Sequence, residues 1–322
     1  MSFNVISLFS GGGGLDIGFE AHDFHPVWCV DIDPESCKTL RHNKPHWNVF
    51  EGDIRDFSYD KKVDGVIGGP PCQGFSNAGK GDPDDPRNYL WREYFRVVEE
   101  TCPDFILLEN VPGMLSKKNI HHFHELEAEF KSHGYLLNHA ILNSADFGVP
   151  QERKRLILLG GKGFKIEIPS PTTTEYRTVI EAIGDLERNP VVHNHSPNNH
   201  APHVVKRWRK LKEGETDPNY RRARLYANKP STTIRAGGGH GPRGDHLGGF
   251  HPPIHYKLPR QLTVREAARL QGFPDSWEFK GSKTAQGRQV GNAVTPPLAE
   301  ALAGKIREAL EAQPNPLQAT AI

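Results

Sequence analysis

Four consecutive glycines, Gly11 to Gly14, follow at once on the strand-like run Val5-Ile6-Ser7-Leu8-Phe9. A strand that ends in glycines and continues into a helical pattern opens an α/β fold. Glycine takes positive φ without a Cβ clash, so the chain can turn sharply over the end of a sheet. The helix that begins there presents N–H donors suited to a carboxylate or phosphate. The turn suits a nucleotide-like cofactor, and it equally suits an α/β corner that binds nothing. A dinucleotide is disfavoured. Its fingerprint needs a third glycine, but the register from Gly11 and Gly13 meets Asp16, and that from Gly12 and Gly14 meets Ile17. Asp31 and Asp33 end the second apolar run, about 20 residues on, where an acid would meet ribose hydroxyls. Asp53 follows the third run.

The same alternation continues through the first half. Apolar runs at 4–9, 26–31, 47–50, 63–68, 104–109, 139–143 and 155–161 read as strands covered on both faces. Helical patterns fall at 14–22, 34–43, 88–101 and 121–133. In the third of these Leu90, Tyr94, Val97, Val98 and Thr101 make one apolar face. The pattern predicts a doubly wound, mostly parallel sheet of Rossmann-like type. It changes near Pro169-Ser170-Pro171: from there to 258 the chain is rich in Pro, Gly, His, Asn and Arg and has little periodicity. We read 169–258 as a second, smaller, loop-rich domain, and 1–168 plus 259–322 as the main one. Thr263 with Glu266 three residues later is a capping-box pattern that reopens helical order. A last amphipathic helix spans about 297–311.

Net charge is only +1, yet residues 200–258 hold 12 Lys and Arg against four acids, an excess of +8 that leaves −7 for the rest. One basic segment on an acidic chain points to a polyanion met on one face. The four cysteines (Cys29, Cys37, Cys72, Cys102) form no C-x-x-C pair, which argues against a disulfide framework and for a reducing compartment. No apolar run approaches ~18 residues and no basic, cleavable leader opens the chain, so a cytoplasmic protein is expected.

Gly68-Gly69-Pro70-Pro71-Cys72-Gln73-Gly74-Phe75-Ser76 follows the fourth strand. Two prolines stiffen the backbone just before the cysteine, and glycines on both sides permit close approach. A cysteine held on a stiff turn beyond a strand end is placed for nucleophilic chemistry, although many cysteines are simply small buried hydrophobes. Gly74 to Lys80 mimics a phosphate loop, but residue 81 is Gly rather than Ser or Thr and Pro83 and Pro86 follow where a helix is needed, so we reject that motif.

These segments, with others in the same order, resemble the DNA cytosine C5-methyltransferase family over nearly the whole chain. Phe9 to Gly13 resembles the family's cofactor motif. Pro70-Pro71-Cys72-Gln73 and Glu109-Asn110-Val111 resemble its two catalytic motifs, and Gln151-Glu152-Arg153-Lys154-Arg155 has its Q-x-R-x-R form. Arg265 to Pro274 resembles its late helical motif, and Gln289-Val290-Gly291-Asn292-Ala293-Val294 the motif that closes the cofactor pocket. The resemblance implies S-adenosyl-L-methionine as cofactor, held by Phe9, Ser10, Gly11, Gly13, Leu15, Asp31, Ile32, Asp53, Ile54, Pro70, Asn292 and Val294. It implies Cys72, Glu109, Arg153 and Arg155 as catalytic residues. Cytosine C5 is a poor nucleophile, and a thiolate adding at C6 makes it an enamine carbon. Glu109 can then meet N3 and an arginine O2. Within the motif, Arg153 is the expected partner of O2 and Arg155 a structural residue. A base inside a duplex must be extruded first.

The basic stretch lies where the family keeps its target-recognition region. Lys229-Pro230-Ser231-Thr232-Thr233-Ile234 resembles the short element there, and Gly237 to Gly244 reads as a loop able to enter a groove. Ser76, Arg87, Thr232, Thr233, Arg235 and Arg243 are the expected DNA contacts, with 76–88 a loop that closes over the duplex. Most of the other basic residues read as solvated surface. The single small recognition region fits a monomeric bacterial or phage enzyme of restriction-modification type, acting on the same site as any cognate restriction endonuclease. His193, His195, His200 and His203 lie close in sequence, but in a loop-like stretch without cysteine we expect no zinc site. Two rivals stand beside the main reading: a tRNA cytosine C5-methyltransferase, and a non-catalytic DNA-binding regulator.

Overall fold

Each of the seven apolar runs forms a strand of one sheet in the computed structural model, which describes residues 1–71, 90–188, 192–237 and 249–313. The strands are β1 (Phe3–Leu8), β2 (Phe24–Asp31), β3 (Val49–Glu51), β4 (Gly65–Gly68), β5 (Phe105–Asn110), β6 (Tyr135–Asn143) and β7 (Lys154–Lys162). Their order is β3-β2-β1-β4-β5-β7-β6. The first five run in parallel, and β7 is antiparallel to both β5 and β6.

Alternate residues of each strand feed opposite faces, as the pleat requires. Ile6, Leu8, Ile106, Leu108, Leu156 and Leu158 pack beneath α3 (Leu90–Thr101) and α4 (Ile120–Ser132), which follow α1 (Gly14–Glu20) and α2 (Pro34–Asn43) in the chain. Val5, Phe105, Leu107, Ile157 and Leu159 pack on the other face, against Phe19 of α1 and Leu298, Leu302 and Ile306 near the C-terminus. Both faces of the central strands are covered, which explains why they read as continuous apolar runs, whereas the edge strands β3 and β6 are partly exposed, against the expectation.

The second half adds α5 (Val179–Ile183), α6 (Pro202–Trp208), the two-residue strands β8 (Ala236–Gly237) and β9 (Gly249–Phe250), α7 (Val264–Leu270), α8 (Lys283–Asn292) and α9 (Pro296–Glu311). Thr263 caps α7 as expected: its hydroxyl accepts from the Glu266 N–H at 3.1 Å, and Glu266 accepts from the Thr263 N–H at 2.7 Å. Three helices were not expected. α5 carries the same Thr-x-x-Glu signal, Thr178 with Glu181, and forms a full capping box. α6 has proline at its start. α8, rich in Gly and Gln, has no apolar stripe to announce it. Val179, Ile183, Leu186, Leu225, Ile234 and Tyr256 share a core with Ala268, Phe273, Trp277 and Val290, so the loop-rich segment packs on the returning C-terminal one. Among the described residues no helix is long and apolar enough to cross a membrane.

Candidate active site

β1 has β2 on one side and β4 on the other, so the chain leaves the sheet centre in two directions. A crevice opens at the C-terminal ends of strands at such a switch point. Here it is a cavity of about 790 Å³. All five parallel strands contribute to it: Phe9 and Gly11 after β1, Asp31 and Ile32 from β2, Asp53 and Ile54 after β3, Gly69 to Pro71 after β4, and Glu109 to Val111 from β5.

The glycine turn does what its sequence predicts. Gly11 and Gly13 have φ of 55° and 82°, and Phe9, which is not glycine, is also held at φ 55°. Strained backbone of this kind gathers at ligand sites. The Gly11 N–H donates to Asp31 Oδ2 at 2.7 Å and the Asp33 N–H to Asp31 Oδ1 at 2.8 Å. Burial pushes the Asp31 carboxyl up to about 6. Next to it Ile32 is 60% exposed on the cavity wall, an apolar surface. Asp53 accepts from Arg55 Nε at 2.9 Å and Nη2 at 2.5 Å.

Four expected cofactor residues are absent from the lining. Ser10 is a brace instead: its hydroxyl donates to the Ser7 carbonyl at 2.9 Å and accepts from the Val30 N–H at 3.2 Å. A Cβ on Gly13 would come within 2.7 Å of the Trp277 ring, so this glycine serves packing. Leu15 and Val294 are buried in the sheet core. A lining residue that sequence reasoning missed is Arg288 of α8, which stands beside Gln289, the first residue of the pocket-closing motif. Arg288 Nη2 lies 2.8 Å from Asp33 Oδ2. Its signal was slight: Arg288 and Asn292 are one helical turn apart, so one facing the cavity places the other there too.

Glu109 sits near the end of β5 and is 9% exposed. Arg155 Nε is 2.7 Å from Glu109 Oε1, an ion-pair contact without hydrogen-bond alignment. A Cβ on Gly69 would stand 3.1 Å from Glu109 Oε2, so the turn leading to Pro70 runs close over the carboxylate. Asn110 Nδ2 approaches the Pro70 carbonyl at 3.5 Å.

The structure places the two arginines the other way round from the expectation. Arg155 lines the cavity. Arg153 is fully buried and donates to the carbonyls of Ile234 at 3.1 Å, Asn292 at 3.3 Å and Ala293 at 2.8 Å. Alternation along a strand explains the swap: neighbours two apart share a face only inside the regular strand, and β7 begins at Lys154, after Arg153. Beside it the buried Gln151 donates to the Leu270 carbonyl and to Gln271, and accepts from the Ile234 N–H at 2.7 Å.

A sequence model of C-5 cytosine-specific DNA methylases matches residues 3–308. The chain belongs to the C-5 cytosine-specific DNA methylase family. It is 40% identical to the Type II methyltransferase M1.HphI of Haemophilus parahaemolyticus, over 94% of this chain and 86% of that one. It is 36% identical to the Type II methyltransferase M.NgoMIV of Neisseria gonorrhoeae, over 97% and 99%. Among solved structures, an E. coli prophage-encoded protein described as a DNA modification methyltransferase superposes with a TM-score of 0.81 at 29% identity, covering 96% of this chain and 100% of its own. The S. pombe Dnmt2 methyltransferase shares the fold, with a TM-score of 0.68 at 20% identity, covering 96% and 99%.

Other expected site residues of this methylase scatter. Cys72, Ser76, Arg87 and Arg243 lie outside the described residues. Thr232 and Arg235 are exposed, and Thr233 donates to the Glu152 carbonyl at 2.7 Å. Their segment is clamped beside 150–153, just beyond the start of β7. Of the twelve basic residues in 200–258, several hold the segment together. Arg207 pairs with the buried Asp217, and Arg224 donates to the carbonyls of Trp208, His255 and Tyr256. Lys257 pairs with Glu187 at 2.5 Å. The histidines diverge: His193 faces Glu278, His195 Nδ1 lies 2.9 Å from Thr263 Oγ1, His200 accepts from the Gln261 N–H, and His203 is exposed. Among the described residues no group of three or more His, Cys, Asp or Glu could hold a metal ion.

Proposed function

We propose that this chain is a DNA (cytosine-5-)-methyltransferase that moves a methyl group from S-adenosylmethionine to C5 of a cytosine swung out of double-stranded DNA. The observation that carries this is the pairing of Glu109 with Arg155 at one cavity edge, beside the turn Gly69-Pro70-Pro71. The next residue in the chain after Pro71 is Cys72.

The cavity fits an adenosyl group on its own evidence. Asp31, already fixed by two N–H donors, offers carboxylate oxygens to ribose hydroxyls, and the exposed Ile32 offers an apolar face to a planar ring. Gly11, Asp53, Ile54, Pro70 and Asn292 complete that end. S-adenosylmethionine, when bound, supplies an electrophilic methyl group.

The rest is chemistry of the chain's own residues. The Cys72 thiolate adds to C6 of the base, and the electron pair moves toward N3 and O2. Glu109 hydrogen-bonds N3 and supplies the proton there, while the Arg155 guanidinium stabilises charge on O2. C5 is then nucleophilic. After methylation a base removes the C5 proton, the C5–C6 double bond re-forms, the thiolate leaves, and N3 returns its proton to Glu109. Arg155 also keeps Glu109 oriented before the base arrives. Arg153 is a positioning residue that ties β7 to the segment around Ile234 and to the end of α8.

Residues 169–258 serve as the recognition region, with the exposed Thr232 and Arg235 facing DNA. The Type II relatives favour a restriction-modification role, and we read the enzyme as a monomer. Transfer of labelled methyl from S-adenosylmethionine to duplex DNA, with bulk tRNA in parallel, tests the proposal. Label in DNA alone is expected, and label in tRNA alone would overturn it.

A further inference from the structure

Helix α8 serves two parts of the molecule. Arg288, Gln289 and Asn292 line the cofactor cavity, while Gly287 and Gly291, one helical turn apart, carry the β8–β9 ribbon. A Cβ at Gly287 would stand 2.0 Å from Cγ of Phe250, and one at Gly291 would stand 2.3 Å from the Ala236 nitrogen. The ribbon therefore lies directly on the backbone of the helix. Phe250 is the one large side chain among its four residues, and its ring joins the core that contains Val290 and Ile234. Ile234 leads into the ribbon and is itself held by Gln151 and Arg153.

We propose that Phe250 is a positioning residue: its ring, seated on Gly287, couples the recognition ribbon to the cofactor cavity. The inference rests on the cofactor reading above. A ligand touching Arg288 and Asn292 fixes α8, and a close-packed aromatic seat passes that order to the ribbon, since packed interiors do not deform continuously. The coupling is reciprocal, so ordering the ribbon on DNA tightens the cavity on its cofactor. Without the ring, the ribbon keeps, among the described residues, two residue pairs of ladder and the backbone contact of Ala236 with Gly291, and the coupling between the two sites is lost.

The test uses the whole protein and S-adenosylhomocysteine. Titration calorimetry gives its affinity, and hydrogen exchange follows peptides covering 231–237 and 249–256. In the wild type, saturating S-adenosylhomocysteine is expected to slow exchange in both peptides about fivefold or more, a typical size for coupling between sites. In Phe250→Ala the affinity is expected to stay within about threefold while the slowing disappears. Gly287→Ala, which displaces the ring, should behave the same way, and Phe250→Leu should restore much of the effect. Slowing that persists in Phe250→Ala, or that is missing in the wild type with ligand bound, would overturn the inference. Absence of any binding heat would instead strike the cofactor reading on which it rests.

Discussion

At the scale of single residues, the proposal places Glu109 and Arg155 at the centre of the chemistry and Arg153 as its support. Arg155→Ala should lower the single-turnover rate of methyl transfer about 100-fold or more, as loss of a donor aimed at developing charge does. S-adenosylhomocysteine affinity should change little. Arg153→Met should act on stability instead. It leaves three carbonyls, two of them buried, without their donor, at about 2 kcal/mol or more, and lowers the denaturant midpoint. If Arg153→Met folds normally and loses only rate, the two assignments must be exchanged again. The motif containing both arginines was legible from sequence, but their division of labour was not. It depends on where β7 becomes regular, which no residue type in the motif announces. Asp31 offers a second check. Its carboxyl is pushed up to about 6 by burial. On the proposed cofactor reading ribose hydroxyls donate to the ionised form, so affinity for S-adenosylhomocysteine should hold above about pH 6 and fall as the pH drops below it, at most about tenfold per unit. Asp31→Asn should flatten the profile. For folding the sign reverses: an acid whose folded pKa is raised destabilises above that pKa, and the cost vanishes as the pH falls toward the unfolded value of about 3.9.

At the scale of elements, strands were easier to read than helices. Strands buried on both faces must be apolar throughout, and those seven runs stand out against any background. α5 and α8 were missed for different reasons. α5 is short, so its period hardly repeats, although Thr178 and Glu181 carried the same capping signal as Thr263 and Glu266. α8 is held by what it touches rather than by propensity. Gln289 accepts from the Thr39 hydroxyl at 2.7 Å, Gln271 donates to the Val290 carbonyl at 2.6 Å, and Arg288 pairs with Asp33. Such tertiary partners leave no periodic trace in sequence. Thr263→Ala should destabilise the protein by about 1–2 kcal/mol, since it removes a helix cap and leaves the buried Glu266 with one partner fewer. Urea unfolding would show this as a lower midpoint with an unchanged slope.

At the scale of the whole molecule, charge is divided between architecture and partner. The excess of +8 in 200–258 suggested a polyanion, and the structure withdraws Arg207, Arg224 and Lys257 from that pool by giving each an internal partner. Lys206, Arg209 and Lys210 stay exposed. Arg209→Ala with Lys210→Ala should reduce the salt dependence of duplex binding by about one to two counterions without changing the sequence modified. Arg224→Ala should unfold the segment instead. Sequence alone could not make this division, because a lysine on the surface and an arginine caging carbonyls look alike until the chain is folded. In the proposed mechanism Cys72 is the residue on which the chemistry turns. Bisulfite sequencing of DNA from cells expressing the protein tests it most directly. The wild type should leave protected cytosines at one short sequence, and Cys72→Ser, expressed at the same level, should leave none. The same protected sites with Cys72→Ser, or no protected site with the wild type, would contradict the mechanism.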